Sequence, residues 1–347
     1  MQTANPALTS LFMKEFEWCK VSAGESVAIL TESESRWQYV QAAQSAAAAM
    51  GGRAFQVLLP SSSPAQSEIP SIDRGNASSI VLDDYPEVTG LLKSVDFIVD
   101  LSLDGLIHSQ QRGEILKSGT RTLLIKEPPD ALERLLPTDE RCWRIDRAVE
   151  RLSRAEQMTV TSEAGTDLRV NLRGGIVKGA YGFCDKPGTS ATWATCAVVA
   201  YPATDEVDGN VVLACGDIVF PFYRYVESPV TLRFKGGFVD EIIGDGLDAE
   251  LLRDYYGRWG DRNAYGISHV GWGMHEKALW DALTFYGRNE AAGVDGRSFE
   301  GNFLISTGPN YAAGRHSRCH FDLPMRHCNI SVDNEPVVVA GKLVERA

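Results

Sequence analysis

The chain lacks the features that mark several large classes of protein. Among its 347 residues, 46 acidic side chains outnumber 34 basic ones, and the net charge is -12. Such a balance offers no basic footprint for a phosphate backbone or an anionic membrane surface. No apolar run approaches the roughly 18 to 20 residues of a membrane span, and the first residues do not resemble a signal peptide. We therefore predict a cytoplasmic protein that binds neither nucleic acid nor membrane.

Cysteine and glycine patterns are also missing. The seven cysteines are odd in number and irregularly spaced, and no two form a CxxC pair. This argues against a zinc ribbon or a disulfide framework and indicates reduced thiols. The first apolar run is not followed by GxGxxG, which argues against a dinucleotide-binding domain.

What is present in the first part of the chain is an alternation of strand and helix patterns. Apolar runs predict strands at 26–30, 53–60, 95–102 and 121–126. Between the first two, Thr31 and Glu34 have the spacing of a capping box for a helix that would end at Gly51. Such an alternation is typical of parallel βαβ units. We predict an N-terminal α/β domain with a parallel sheet over residues 1–150.

The second part of the chain has a different pattern. A helical segment at 138–154 is followed by short strands separated by turn signals, by helices predicted at 248–258 and 275–287, and by further strands. Such a mixture indicates a C-terminal mixed α+β domain, which we place at 151–347. The overall fold class predicted is therefore α/β with a second, α+β domain.

Histidines are concentrated near the C-terminus, where five of the six lie. The segment HSRCHFDL reads as a strand, on which alternate side chains share a face. His316, His320 and Asp322 would then lie on one face, together with Arg318. The H-x-D pair of His320 and Asp322 offers one imidazole and one carboxylate to a single ion. With a third ligand, this is the facial triad that leaves adjacent positions open on ferrous iron.

His269 is the candidate third ligand, because it lies among small residues and glycines that let the backbone approach a site closely. His275, six residues later, would begin the predicted helix with an exposed side chain, and no second histidine follows four residues on as in a zincin. His108 follows a predicted parallel strand, where sites in α/β sheets gather. It is a candidate general acid or base, or simply the start of a helix.

The segments GISHVGWG, FLISTGPN and RCHFDLPM resemble, in this order and spacing, the 2,5-dihydroxypyridine 5,6-dioxygenases, whose fold is similar to that of the aminopeptidase T/S metalloproteases. The resemblance implies one Fe(II) bound by His269, His320 and Asp322. It implies that His108 takes a proton from the substrate hydroxyl and that Ser306 contacts the substrate, and we add His316 as a further candidate contact. The partners implied are a small aromatic substrate and O2, and the assembly implied is a homo-oligomer.

Three alternatives stay open at this point. A metallopeptidase of the related fold would need a second metal and more carboxylates, but Ala264 stands where those enzymes carry glutamate, and Glu276 or Glu300 would have to supply the missing ligands. A related dioxygenase could cleave another hydroxylated heteroaromatic ring, and Trp193 stands where some family members are expected to have a polar contact. A relative that has lost catalysis would only bind a small ligand.

Overall fold

The computed structural model describes residues 5–60, 81–107, 109–288 and 290–344. The helices are α1 (Pro6–Trp18), α2 (Trp37–Ala49), α3 (Pro86–Leu92), α4 (Arg112–Lys117), α5 (Pro129–Arg134), α6 (Asp139–Ser153), α7 (Leu247–Trp259) and α8 (Val294–Ser298). The first ten strands are β1 (Ser26–Glu32), β2 (Arg53–Leu59), β3 (Phe97–Asp100), β4 (Arg121–Leu124), β5 (Gln157–Thr161), β6 (Asp167–Asn171), β7 (Ile176–Ala180), β8 (Ser190–Thr192), β9 (Ala197–Tyr201) and β10 (Val207–Leu213). The others are β11 (Ile218–Val219), β12 (Arg224–Tyr225), β13 (Val230–Lys235), β14 (Phe238–Ile243), β15 (Ile267–Gly273), β16 (Phe303–Thr307), β17 (Phe321–Met325), β18 (Asn329–Val332), β19 (Glu335–Val339) and β20 (Lys342–Leu343).

The first compact unit contains the predicted parallel sheet. Its strand order is β2-β1-β3-β4-β8, and β1 pairs in parallel with both β2 and β3. The sheet is covered by α1 and α2, among other helices, and its strands β1, β3 and β4 are almost wholly buried, as expected when helices cover a parallel sheet. Strand β2 lies on one side of β1, and β3 and β4 lie on the other. The carboxyl ends of β1 and β3 therefore form the topological switch point, where α/β sheets place their sites.

One local prediction in this unit was wrong. Thr31 does not cap a helix, because β1 continues through Glu32 and the Thr31 hydroxyl donates to the carbonyl of Val57 on β2. Helix α2 begins at Trp37 and ends at Ala49, just before the glycines that were expected to stop it. The cross-strand bond outcompetes the local cap because β1 is paired on both sides.

The second compact unit contains an eight-stranded and a five-stranded sheet. One has eight strands in the order β14-β13-β10-β6-β5-β18-β19-β20, and the other has five in the order β17-β16-β15-β9-β7. All the pairings in both sheets are antiparallel. With helices α6, α7 and α8, this is the mixed α+β arrangement that the sequence predicted.

The two units do not divide the chain at a single point. The first comprises Met1–Thr138, Tyr181–Thr195 and Asn289–Ala292, and the second comprises the remaining segments. The predicted division at residue 150 differs from this by helix α6, which belongs to the second unit, and by the two short segments that return to the first. The sequence pattern does not reveal such returns, because each depends on contacts between segments that are distant in the chain.

The prediction of a helix at 275–287 was also wrong. Only a 3-10 turn, Trp280–Thr284, forms there. The backbone of His275 instead bridges to the end of α8 and the residues after it. Its amide donates to the carbonyl of Ser298, and its carbonyl accepts from the amide of Glu300. The side chain of Asp295 accepts from the amide of Leu279. The backbone groups that a helix would need are therefore committed to other partners. Contrary to expectation, His275 is buried.

Among the described residues there is no helix long and apolar enough to cross a membrane.

Candidate metal centre

Three neighbouring antiparallel strands carry the site. Register pairs His269 on β15 with Ser306 on β16, and Ser306 with Asp322 on β17. Directly opposed residues in a sheet point to the same face, so the side chains of His269, Ser306 and Asp322 form one row, which we call the ligand row. His320 immediately precedes β17 and lies two residues before Asp322, at the spacing that the H-x-D pair predicted. All four residues are buried.

Strand β15 is buried along its whole length, and its glycines allow neighbouring backbone to come close. A Cβ on Gly271, two residues after His269, would collide with the carbonyl of Val198 and lie 2.8 Å from the Cα of Val199. Glycine is therefore required on the face of β15 that also carries His269. This explains in physical terms the GISHVGWG pattern that singled out His269.

The three predicted ligands converge. His320 Nε2 lies 3.1 Å from Asp322 Oδ1, and His269 Nε2 lies 3.7 Å from the same oxygen. One ligand atom from each of the three residues lies within 4.8 Å of the others. Metal–ligand bonds of about 2.1 Å place adjacent ligand atoms about 3 to 3.5 Å apart, so the distances of 3.1 and 3.7 Å from the carboxylate are close to those around a single ion. Within the described part of the chain, this is the one such group of His, Cys, Asp or Glu side chains.

The electrostatics of the group favour metal ligation. Burial lowers the pKa of His269 to about 3, so its imidazole is neutral at physiological pH and keeps a lone pair. Burial alone would raise the pKa of Asp322, but His320 and the guanidinium of Arg297, which both donate hydrogen bonds to the carboxylate, outweigh it and hold that pKa well below its usual range. A neutral imidazole and an ionised carboxylate are the protonation states that a divalent cation requires.

The nitrogen that His269 turns toward the carboxylate leaves room for an ion. His269 Nε2 lies 3.7 Å from Asp322 Oδ1, which is too far for a good hydrogen bond. An ion bound between the imidazoles and the carboxylate would take the lone pair of this nitrogen. The donor set fits ferrous iron, which is held by two histidines and one carboxylate in non-heme oxygenases.

The structure separates the two predicted substrate contacts. The Ser306 hydroxyl is fully buried and donates to Asp322 Oδ1, so its observed partner is the carboxylate of a predicted ligand. His316 is exposed and its ring lies 5.3 Å from that of Tyr311. The prediction that His316 and Arg318 share the strand face with Asp322 was wrong. Instead of extending the strand, the backbone before His316 closes a turn between Asn310 and Arg315.

The predicted general base, His108, lies outside the described residues, but the loop before it is described. Asp100, at the end of β3, accepts bonds from the amide and hydroxyl of Ser102 and from the amide of Leu106. Glu32, at the end of β1, accepts from the amide of Leu103 at 2.8 Å. Two buried carboxylates at the switch point of the parallel sheet therefore hold the segment that leads to His108.

The carboxylates that a second metal would need are committed elsewhere. Arg141 forms a bidentate pair with Glu276, and Arg144 bonds Glu300 at 2.8 Å. Ala264 is buried and offers no ligand. Trp193 is fully buried in the first unit, where its ring packs against that of Phe12 at 5.1 Å. Its observed role is packing of the core of that unit.

Two residues of the site gave no sequence signal. Arg297, on α8, donates from Nε to Asp322 Oδ2 at 2.5 Å. Tyr201, on β9, places its ring 5.3 Å from the ring of His269. Neither belongs to a recognisable spacing pattern, and both come next to the ligands only through strand pairing and the packing of α8.

Comparisons with known proteins identify the family of the chain. The NicX model, described as 2,5-dihydroxypyridine 5,6-dioxygenase, matches residues 7–345. The chain belongs to this family. A curated 2,5-dihydroxypyridine 5,6-dioxygenase from Pseudomonas putida KT2440 is 36% identical over 99% of this chain and 98% of its own length. The structure of the 2,5-dihydroxypyridine dioxygenase from Pseudomonas putida KT2440 superposes with a TM-score of 0.91 at 36% identity, over 98% of this chain and 97% of that one.

A more distant neighbour confirms the related fold. AmpT from Thermus thermophilus superposes with a TM-score of 0.60 at 14% identity, over 98% of this chain and 99% of its own. This similarity shows a shared fold alone. The predicted likeness between the fold of the 2,5-dihydroxypyridine 5,6-dioxygenase family and that of an aminopeptidase is thereby confirmed.

We expect Ser306→Ala to weaken metal binding, because the hydroxyl that orients Asp322 is lost. Groups that orient ligands typically contribute about 10- to 100-fold in metal affinity or activity. Fe(II) affinity, measured by anaerobic competition with a chelating dye, should fall by that factor. Thr307→Val is the matched control, since it removes the next hydroxyl, which bonds Tyr256 away from the ligand row. Equal affinities in the two variants would contradict the role of Ser306.

Proposed function

We propose that the protein is a non-heme Fe(II) dioxygenase that cleaves the C5–C6 bond of 2,5-dihydroxypyridine and yields N-formylmaleamate. The observation that carries the proposal is the buried row of His269, Ser306 and Asp322, completed by His320, in a chain of this family. The name of the curated relative supports the choice of substrate. Addition of both atoms of O2 to the ring carbons balances the reaction, because the product differs from the substrate by one O2.

His269, His320 and Asp322 would hold the iron. The ion would supply binding and activation of O2 and of the chelating ring, as ferrous facial triads do. The chain's own residues have narrower tasks. Ser306 orients Asp322, the buried position of the ligand row excludes bulk water, and Tyr201 forms an aromatic wall beside His269.

The acid–base role is proposed for His108. This histidine would take the proton of a ring hydroxyl and so make the ring more electron-rich. The hydrogen bonds that the preceding loop donates to Asp100 and Glu32 support the role, since a general base needs a fixed position. The cytoplasmic location and the homo-oligomer remain predictions, as does a substrate contact by His316.

The test is oxygen uptake by the Fe(II)-loaded protein on addition of 2,5-dihydroxypyridine. We expect one O2 consumed per ring, both labelled oxygens in the product when ¹⁸O2 is used, and full inhibition by a chelator. A protein that holds one iron but consumes no O2 would rule out this substrate and favour another hydroxylated heteroaromatic ring. Two bound zinc ions with peptide hydrolysis would replace the proposal with the metallopeptidase.

We expect His108→Ala to keep one iron per chain and to slow turnover by about 100-fold or more, since general acid–base groups typically contribute 10²- to 10⁴-fold. Iron content and oxygen uptake are measured on the same sample. Ser109→Ala changes the adjacent residue, whose hydroxyl donates to the carbonyl of Leu106 and accepts from the amide of Arg112, both close in sequence, and serves as control. Full activity in His108→Ala would remove the acid–base assignment while leaving the metal ligands untouched.

A further inference from the structure

Arg297 is bound to the metal-ligand carboxylate on the side away from the histidines. Its Nε donates to Asp322 Oδ2 at 2.5 Å, whereas the Nε2 atoms of His320 and His269 face Oδ1 at 3.1 and 3.7 Å. The hydroxyl of Ser306 also donates to Oδ1. The two oxygens of one carboxylate therefore have separate environments.

The guanidinium is held in place by packing. Its Cζ lies 3.7 Å from the centroid of the Phe220 ring, which is fully buried. A Cβ on Gly296 would lie 2.8 Å from that ring, and one on Gly293 would collide with it. Glycines at both positions let α8 lie directly against Phe220. Stacking on an aromatic face and a charge-assisted bond to a carboxylate together fix the plane of an arginine.

We propose that Arg297 is a positioning residue that restricts Asp322 to a single donor oxygen, Oδ1, toward the metal. A carboxylate is free to bind an ion through one oxygen or both. Because Arg297 occupies Oδ2, the carboxylate cannot bind the ion through both oxygens. One more coordination position on the ion then stays available. The inference rests on the proposed function, because a chelating ring and O2 together need three such positions.

A purely structural role of Arg297 would lead to a different result on its substitution. If Arg297 only stabilised the fold, its loss would lower the melting temperature without altering the ligand set of the metal. If Arg297 positions Asp322, its loss lets the carboxylate turn so that both oxygens reach the ion. The ion is then retained, but the second donor atom of the substrate ring competes with Oδ2 for the same coordination position.

The test compares Arg297→Met with the wild type and with Arg326→Met. Arg326 is the matched control, because its guanidinium also stacks on an aromatic ring, that of Trp280 at 3.8 Å. It is the first residue after β17, the strand that contains Asp322. We expect Arg297→Met to bind one Fe(II) per chain and to bind 2,5-dihydroxypyridine, titrated without oxygen, at least about tenfold more weakly. Arg326→Met should match the wild type in both measurements.

A second measurement does not depend on the ring. Each protein is loaded with Co(II), whose visible absorption spectrum reports the number of ligand atoms. We expect the spectrum of Arg297→Met to shift toward higher coordination, and that of Arg326→Met to stay unchanged. If the wild type binds metal but not the dihydroxypyridine, the proposed function fails, while the Co(II) comparison still decides the role of Arg297.

An unchanged Co(II) spectrum together with unchanged ring affinity in folded Arg297→Met would overturn the proposal. So would loss of the metal itself, because Arg297 would then be needed for holding the ion. Should the methionine variant fail to fold, Arg297→Lys is judged in the same way. Lysine keeps the charge but replaces the planar fork with one point donor, so a smaller shift of the same kind is expected.

Discussion

His320→Ala is expected to abolish iron binding and oxygen uptake, with turnover at least about 1000-fold below that of the wild type. The substitution removes one of two imidazoles from a three-residue ligand group, and its Nε2 is the nitrogen closest to Asp322 Oδ1, at 3.1 Å. The carboxylate would keep its partners Ser306 and Arg297, so the remaining site should stay folded. Iron content after anaerobic loading and oxygen uptake together measure the effect.

The matched control is His327→Asn, a change to a nearby exposed histidine that lies outside the ligand row. Asparagine is chosen because residue 327 has a φ of 57°, a left-handed conformation that asparagine adopts more readily than alanine. This variant should keep iron and turnover within about twofold of the wild type. Retention of one tightly bound iron by His320→Ala would show that the ligand set is wrong.

Glu15→Met is expected to stabilise the protein. Glu15 is fully buried on α1, and neither carboxyl oxygen has a hydrogen-bond partner in the described residues. Burial, and to a lesser extent nearby Cys19, raises its pKa well above the usual range. Replacing an unsatisfied buried polar group with an apolar side chain of similar length should raise the free energy of unfolding by about 1 to 3 kcal/mol. Thermal unfolding measures the change.

The pH dependence has a definite sign. A carboxyl group whose pKa is higher in the folded state does not lower the free energy of unfolding below its unfolded-state pKa of about 4.3. As the pH rises from there toward the folded-state pKa, the free energy of unfolding falls. The advantage of Glu15→Met over the wild type should therefore grow as the pH rises above about 4.3. Glu17→Met, an exposed change on the same helix, should show no such trend. A constant difference at all pH values would mean that Glu15 is not a buried neutral acid.

The strands were predictable where burial on one or both faces leaves a clear apolar pattern. The runs at β1, β3 and β4 have this character, and so does β16. The helical pattern at 275–287 failed for a physical reason that no local spacing contains. Its backbone groups bond to Ser298, Glu300 and Asp295, which lie 16 or more residues away in the chain or across a bridge.

The site was predictable to a similar degree. His320 and Asp322 were indicated by spacing and His269 by its glycine-rich segment, and the structure brings all three together. Ser306 was predicted as a substrate contact, and only strand register shows that it lies between two ligand strands. Arg297 could not be predicted, because it is 25 residues from Asp322 and reaches it from a short helix seated on Phe220.

The ligand row has a consequence for how preparations of this protein should be judged. A slip of one residue between two strands turns every side chain of the slipped strand to the opposite face. A molecule in which β17 pairs with β16 one residue out of step would thus point Asp322 away from His269, even if its sheet content were native. The iron content of a refolded sample would then count the molecules with correct strand alignment, which circular dichroism cannot distinguish from the misaligned ones.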